Sequence, residues 1–254
     1  MILVSAFAVF PLPKPCSPVF SRIISFAIGV RWANKLVNLR RCVGITLCLI
    51  LWSWANAALA RPVSYPDGWT LILDNNDIQN SALVHYTLDT NHALGLRLRY
   101  DRDDDYSFIG PQLNRLIKRW NNPDSQANLY GHAALGAVID DQSGPLTRED
   151  DFGLFIGLSG DWETRRYFVS AAAEHWDNGR FGDFSSFRSR LGIAPYVANT
   201  GALHTWIMVE GRHRPQRENA LSGAAILRLF KGANLLELGV DDQGEALLNY
   251  IHTF

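Results

Sequence analysis

From Trp69 to the C-terminus the chain repeats one pattern, about ten positions of alternating apolar and polar residues followed by a turn. A period of two is what a β-strand with one apolar and one polar face requires. In Ala93 to Asp101, Leu94, Leu96, Leu98 and Tyr100 fall on one face, and Gly95, Arg97, Arg99 and Asp101 on the other. Phe152 to Glu163 divides the same way, with Phe152, Leu154, Ile156, Leu158 and Trp162 opposed to Gly153, Gly157, Ser159, Asp161 and Glu163. In Ser186 to Val197 and Leu203 to His213, Arg188, Arg190, His204, Glu210 and Arg212 again keep to the polar face.

The pattern predicts an all-β fold of about twelve strands, at roughly 69–74, 81–88, 93–101, 105–111, 127–139, 151–161, 166–177, 185–198, 202–213, 220–230, 235–241 and 245–254. Ten strands is the alternative count. Alternate connections look tight (89–92, 162–165, 199–201, 231–234) and the others longer (140–150, 178–184, 214–219). Short periplasmic turns alternating with longer external loops are a feature of outer-membrane barrels. The expected architecture is therefore a closed antiparallel up-and-down transmembrane β-barrel, its leucines toward lipid and its arginines toward the lumen. A soluble periplasmic β-protein, with the leucines packed inside a sandwich, is the competing reading of the same alternation. One segment departs from it: Leu113, Leu116, Ile117 and Trp120 recur at helical spacing, which predicts a short amphipathic helix near 112–121.

Ahead of the barrel, Arg40 and Arg41 precede the apolar run Val43 to Trp54, and Ala58-Leu59-Ala60 has the small-x-small form of a cleavage site. This is the layout of a secretory signal peptide, with the mature chain beginning at Arg61. The run is shorter than the ~20 apolar residues a spanning helix needs. A signal of ordinary length starts near Val37, so the first 36 residues read as an extension upstream of the true start. The chain thus divides into 1–60, removed on export, and 61–254, the barrel.

Composition narrows the chemistry. The formal net charge is −1, so there is no basic excess of the kind a nucleic-acid partner demands. Cys16, Cys42 and Cys48 all precede the barrel, which excludes disulfides, thiolate metal sites and a cysteine nucleophile from residues 61–254. No cofactor motif is present.

The polar face carries Arg97, Arg99, Arg166, Arg188, Arg190, Arg212 and Arg228 together with Asp101, Asp161, Glu174, Glu210, Glu237 and Asp241. Balanced charges facing inward form either a salt-bridged filling for a narrow barrel or rings that select solutes in a pore. His85, His132, His204 and Met208 share that face, a side-chain set suited to soft metals, but no two histidines have ligand-like spacing. A small pore or an accessory envelope component, non-enzymatic, is the expected function.

Three stretches resemble known proteins. Glu245 to Phe254, with Ala246, Leu248, Tyr250 and the terminal Phe254 on one face, resembles the C-terminal signal of outer-membrane barrels; this implies outer-membrane lipid and the outer-membrane insertion machinery as partners. Tyr65-Pro66-Asp67-Gly68-Trp69 and Leu116 to Asn128 resemble an uncharacterised family of proteobacterial exported proteins, which implies no particular activity. His175-Trp176-Asp177-Asn178-Gly179-Arg180 resembles the His-x-Ser-Asn-Gly-Arg stretch of outer-membrane phospholipase A. That resemblance implies His175 as general base, but Asp177 stands in the place of the serine, and a carboxylate cannot act as the hydroxyl nucleophile. Ser189, on the neighbouring strand and the same face, is the nearest substitute if the hairpin is centred on Phe181.

Overall fold

The computed structural model describes residues 62–63, 65–141, 150–217 and 219–254. The expected signal peptide, its cleavage site and the upstream extension lie outside the described residues. The alternating segments form twelve strands: β1 (Trp69–Asn75), β2 (Gln79–Thr87), β3 (His92–Asp101), β4 (Tyr106–Asn122), β5 (Ser125–Asp140), β6 (Asp151–Thr164), β7 (Tyr167–Asp177), β8 (Asp183–Ile193), β9 (His204–His213), β10 (Leu221–Lys231), β11 (Asn234–Asp241) and β12 (Ala246–Thr253). Each pairs antiparallel with its neighbours in the chain, and β1 pairs with β12 from Thr70–Thr253 to Asn75–Leu248, so the sheet closes into a barrel. Closure removes every unpaired edge. Below, the end that carries β1's start and β12's finish is the near end, and the opposite one the far end.

The barrel is inside out relative to a soluble protein. Ile193, Ile207, Leu227, Leu238 and Leu248 are successive cross-strand partners on the outer surface. Leu191, Ile207 and Val209 there are each 56% exposed, whereas Arg99, Asp101, Glu210 and Glu237 inside are 5% exposed or less. Monomeric soluble proteins rarely leave so wide an apolar surface uncovered. Trp69, Trp120 and Trp162 stand exposed on the same outer face toward the near end.

The expected helix near 112–121 is absent, because β4 runs unbroken to Asn122 and pairs with β5 as far as Asn122–Ser125. The pairing register shifts between Leu116 and Lys118. Such a bulge places one extra residue in a strand. Leu113 faces out, Leu116 in, and Ile117 and Trp120 out, so alternation interrupted by one bulge reproduces the three-and-four spacing of a helix.

Two connections also depart from expectation. Ala194-Pro195 ends β8 early, since proline cannot donate to the ladder, and β8 and β9 are joined by residues 194–203 rather than a tight turn. Arg166 belongs to the turn between β6 and β7 and is exposed; it is not in the lumen, because β6 extends to Thr164. At the β2–β3 turn, the Asp89 carboxylate accepts hydrogen bonds from the amides of Asn91 at 2.7 Å and His92 at 2.9 Å. The Asn91 bond is the main reason its carboxyl is held below the usual carboxylate range.

β4 and β5 pinch together at Gly110 and Gly136, where a Cβ on either residue would lie inside the contact radius of the opposing backbone carbonyl, Leu135 or Ile109. Gly110→Ala must push the two strands apart, with an expected cost of about 1–3 kcal/mol or more. Urea titration of the folded band on unheated gels measures it.

Candidate functional site

The inward positions of the strands form three zones along the lumen. In the far zone, Tyr106, Phe108, Ala134, Val138, Phe155 and Trp176 form one buried cluster, with Phe181 and Phe184 packed against it. Trp176 lies 4.4 Å from Phe155 and 5.3 Å from Phe108 between ring centroids. Arginines are threaded through these rings. The Arg99 guanidinium sits 4.7 Å from the Trp176 ring and 5.0 Å from Phe184, and that of Arg214 lies 4.2 Å from Phe184. Arg99 also donates to Asp101 at 2.5 Å, Gln79 at 2.7 Å and Tyr106 Oη at 3.0 Å. A guanidinium that is flat, stacked on rings and hydrogen-bonded through each of its three nitrogens can be buried without leaving an unpaired charge. Arg97 bonds Gln112 and, at 3.2 Å, Ser81.

Charges fill the middle zone. Arg190 donates to Glu210 at 2.5 Å and to Glu237 at 3.0 Å; Arg228 reaches Glu237 at 2.7 Å and Arg212 reaches Glu210 at 2.9 Å. Asn249 adds a bond to Glu237 at 2.8 Å. Arg188 of β8 contacts Asp74 of β1 at 3.4 Å and Glu174 of β7 at 4.0 Å. Around the ring, β1 and β8 are separated by β12 to β9 on one side and by β2 to β7 on the other. The Arg188–Asp74 bridge therefore spans the lumen and ties nearly opposite walls together.

The near zone is open. A cavity of about 590 Å³ is lined by aromatic residues (Tyr130, Phe168, Trp206, Phe230), by Asn121 to Gln126 at the tip of the β4–β5 hairpin, and by Asp161, Glu163, Arg165, Arg188, Arg190 and Arg228. Its volume is in the range of ligand pockets. The loop 194–203 borders it through Val197 and Ala198, the latter held by a bond from Arg165 Nη2 at 3.2 Å. The chain before β1 reaches this zone too, because Pro62 lines the cavity and Val63 is buried with Ala93, Leu116 and Tyr130.

Thus Arg97, Arg99, Asp101, Glu174, Arg188, Arg190, Glu210, Arg212, Arg228 and Glu237 do face the lumen, and Asp161 joins them through Asn128 at 2.8 Å. Asp74 was not singled out, though alternation puts it on the polar face of β1 with Thr70. The inward rings of Phe155 and Trp176 were missed because an apolar residue on a polar face looks like noise in a period-two pattern. The soft-metal set does not converge. His132 bonds Asn114 and Ser159, each at 2.8 Å; Met208 packs with Phe168, Ile226 and Leu247; and His204 lies beside Phe230. Among the described residues no three His, Cys, Asp or Glu side chains are grouped to hold a metal.

On the outer surface, His175 pairs with Ser185, not with a residue near Ser189, because the hairpin pairs Asp177 with Asp183 and so turns at Arg180 instead of Phe181. His175 Nδ1 lies 3.1 Å from Ser185 Oγ. Ser189 pairs with Ala171, four residues further along β8, or roughly 13 Å at strand rise. His175 and Ser189 therefore do not meet. Asp177 accepts a bond from the Gly179 amide at 3.0 Å, as a turn residue does.

No family profile matches the chain, and no curated protein matches its sequence. Among solved structures the chain is similar to the KdgM porin, at 7% identity over 74% of this chain and 98% of that one, with a TM-score of 0.43. It is also similar to OmpTdeltaL8, a loop L8 deletion mutant of OmpT, an outer membrane protein of Vibrio cholerae, at 9% identity over 74% of this chain and 97% of that one, with a TM-score of 0.28.

Proposed function

We propose that this chain is a non-enzymatic outer-membrane β-barrel of the Gram-negative envelope whose lumen rests shut at mid-depth, a gated small pore or accessory component rather than a standing diffusion channel. The observation that carries the reading is the reversed polarity of the wall: a continuous apolar outer surface around a lumen of paired charges. In hydrocarbon an open sheet leaves backbone donors unsatisfied at several kcal/mol each, so only a closed barrel of this polarity is stable there. The near end, with both β1's start and β12's finish, is then periplasmic, as an even strand number requires. Its exposed tryptophans suit the interfacial girdle. Outer-membrane lipid, and an insertion machinery that reads β12, are the partners this reading needs. The test is fractionation with gel mobility: the protein is expected in the outer membrane and to migrate faster unheated than boiled. Recovery in the soluble periplasm with no heat-dependent shift overturns it.

A second reading, an outer-leaflet lipid hydrolase, is favoured by the His175–Ser185 contact on the lipid side of the far end. No carboxylate among the described residues is bonded to His175 to orient it, which is the third member such sites use. Purified protein is expected to leave phospholipid intact. Hydrolysis that disappears in both His175→Ala and Ser185→Ala would establish the second reading instead.

A further inference from the structure

We infer that the far mouth of the lumen holds a binding site for a small phosphate-type oxyanion, with Arg214 as its anchor. The inference deepens the reading above by naming the charge class of the solute met at the external end, and it takes only that sidedness from it. What carries it is an arginine buried without a counter-ion.

Arg214 follows the last residue of β9 and closes the base of the β9–β10 loop: its amide donates to Ala220 O at 2.7 Å, and its carbonyl accepts from Arg217 N at 3.1 Å. The loop is tied to β8, where the Ser185 amide donates to Gln216 Oε1 at 3.1 Å. From this fixed backbone the side chain lies over the Phe184 ring, 4.2 Å from the guanidinium to the ring centroid, and the residue is only 7% exposed. The arginines around it have acceptors. Arg99 has Asp101, Gln79 and Tyr106, Arg212 has Glu210 and Asp77, and Arg217 has Asp103. Among the described residues Arg214 has none. Asp101 and Asp104 are close enough to act on it but stay beyond ion-pair distance.

Burial, then repulsion from Arg99, push its pKa down to about 10, so it is still a cation at neutral pH. Buried charges are ordinarily paired, because an unpaired one has lost its water and gained nothing in return. With the face of the guanidinium on a ring, the edge N–H groups remain, and their fork matches two oxygens of one oxyanion. Phe184 packs against the ring cluster inside the barrel, so a solute in the mouth reaches Arg214 and a headgroup in the surrounding leaflet does not. An incoming anion completes a pairing that the chain itself omits.

The test is the melting midpoint of the folded band on unheated gels, in phosphate and in chloride at one ionic strength. Saturating phosphate is expected to raise the midpoint of the unmodified protein by about 2 °C or more. Arg214→Met keeps the contact with Phe184 and removes a charge that has no partner to lose. It is expected to melt no lower than the unmodified protein in chloride and to show no response to phosphate. Arg214→Lys keeps the charge without the fork and is expected to need about tenfold more phosphate for half the shift. Arg217→Gln should leave the response unchanged. A phosphate response that is absent, or that persists undiminished in Arg214→Met, overturns the inference. So does an Arg214→Met protein that melts several degrees lower in chloride or does not fold, since Arg214 would then be a structural cation. The gel shift in chloride reads the barrel and the phosphate increment reads the site, so this inference can fail while the outer-membrane reading stands.

Discussion

Arg190→Ala is expected to lower the stability of the barrel by about 3–5 kcal/mol, because it leaves Glu210 and Glu237 in the lumen without their shared cation. Both carboxylates are nearly inaccessible, at 2% and 4% side-chain exposure, so water cannot take the place of the guanidinium. Arg212 and Arg228 each keep one contact to these acids. They hold the loss below the cost of two isolated charges but do not cancel it. Urea titration of the protein in lipid vesicles, followed by tryptophan fluorescence, measures the change; a loss under about 1 kcal/mol would mean the network is a surface-like ion pair. Replacing Arg190, Arg228, Glu210 and Glu237 together by apolar residues of similar size is expected to cost much less than the single substitution, because Arg212 keeps Asp77 and no other cation of the network is left behind.

Trp176→Ala is the second large effect, at about 3–5 kcal/mol for the loss of a buried ring and the cavity it leaves. The indole is 2% exposed and forms the centre of the far-zone cluster, touching Phe108, Phe155 and Phe184, with Arg99 stacked above it. Its removal has a consequence beyond stability. The far zone is packed by rings and the middle zone is crossed by Arg188–Asp74, so these act in series along the lumen. In planar bilayers the unmodified protein is expected to give no steady ion current. Trp176→Ala should give brief openings, and Trp176→Ala combined with Arg188→Ala a sustained step. A sustained step from the unmodified protein would refute mid-depth closure, and silence from the double variant would mean that other groups close the lumen.

The wall of the barrel was legible because period-two alternation is set by backbone geometry, and it survives whatever side chains fill the two faces. It carried the larger of the two strand counts and the outward leucines, while among the charges it placed Arg166 wrongly and passed over Asp74. Register was not legible. The hairpin at Arg180 differs from the assumed centre by a single residue, and that alone moved the partner of His175 from Phe187, with Ser189 diagonal to it, to Ser185. A bulge at Leu116 to Lys118 counterfeited a helix, since one inserted residue shifts the phase of a strand by half its period. Partnership across the lumen was also hidden, as nothing local to Asp74 indicates an arginine more than a hundred residues away on the opposite wall.

The seam between β1 and β12 has a consequence for assembly. Trp69 O accepts a hydrogen bond from the amide of Phe254 at 2.8 Å, so one flank of the first strand is covered only once β12 is in place. A sheet in which β1 and β12 have not yet paired exposes an unpaired edge at each side, which is the state most prone to join another chain. The barrel therefore seals only when β1 meets β12, and a chain shortened by that single strand is expected to aggregate rather than form a smaller barrel.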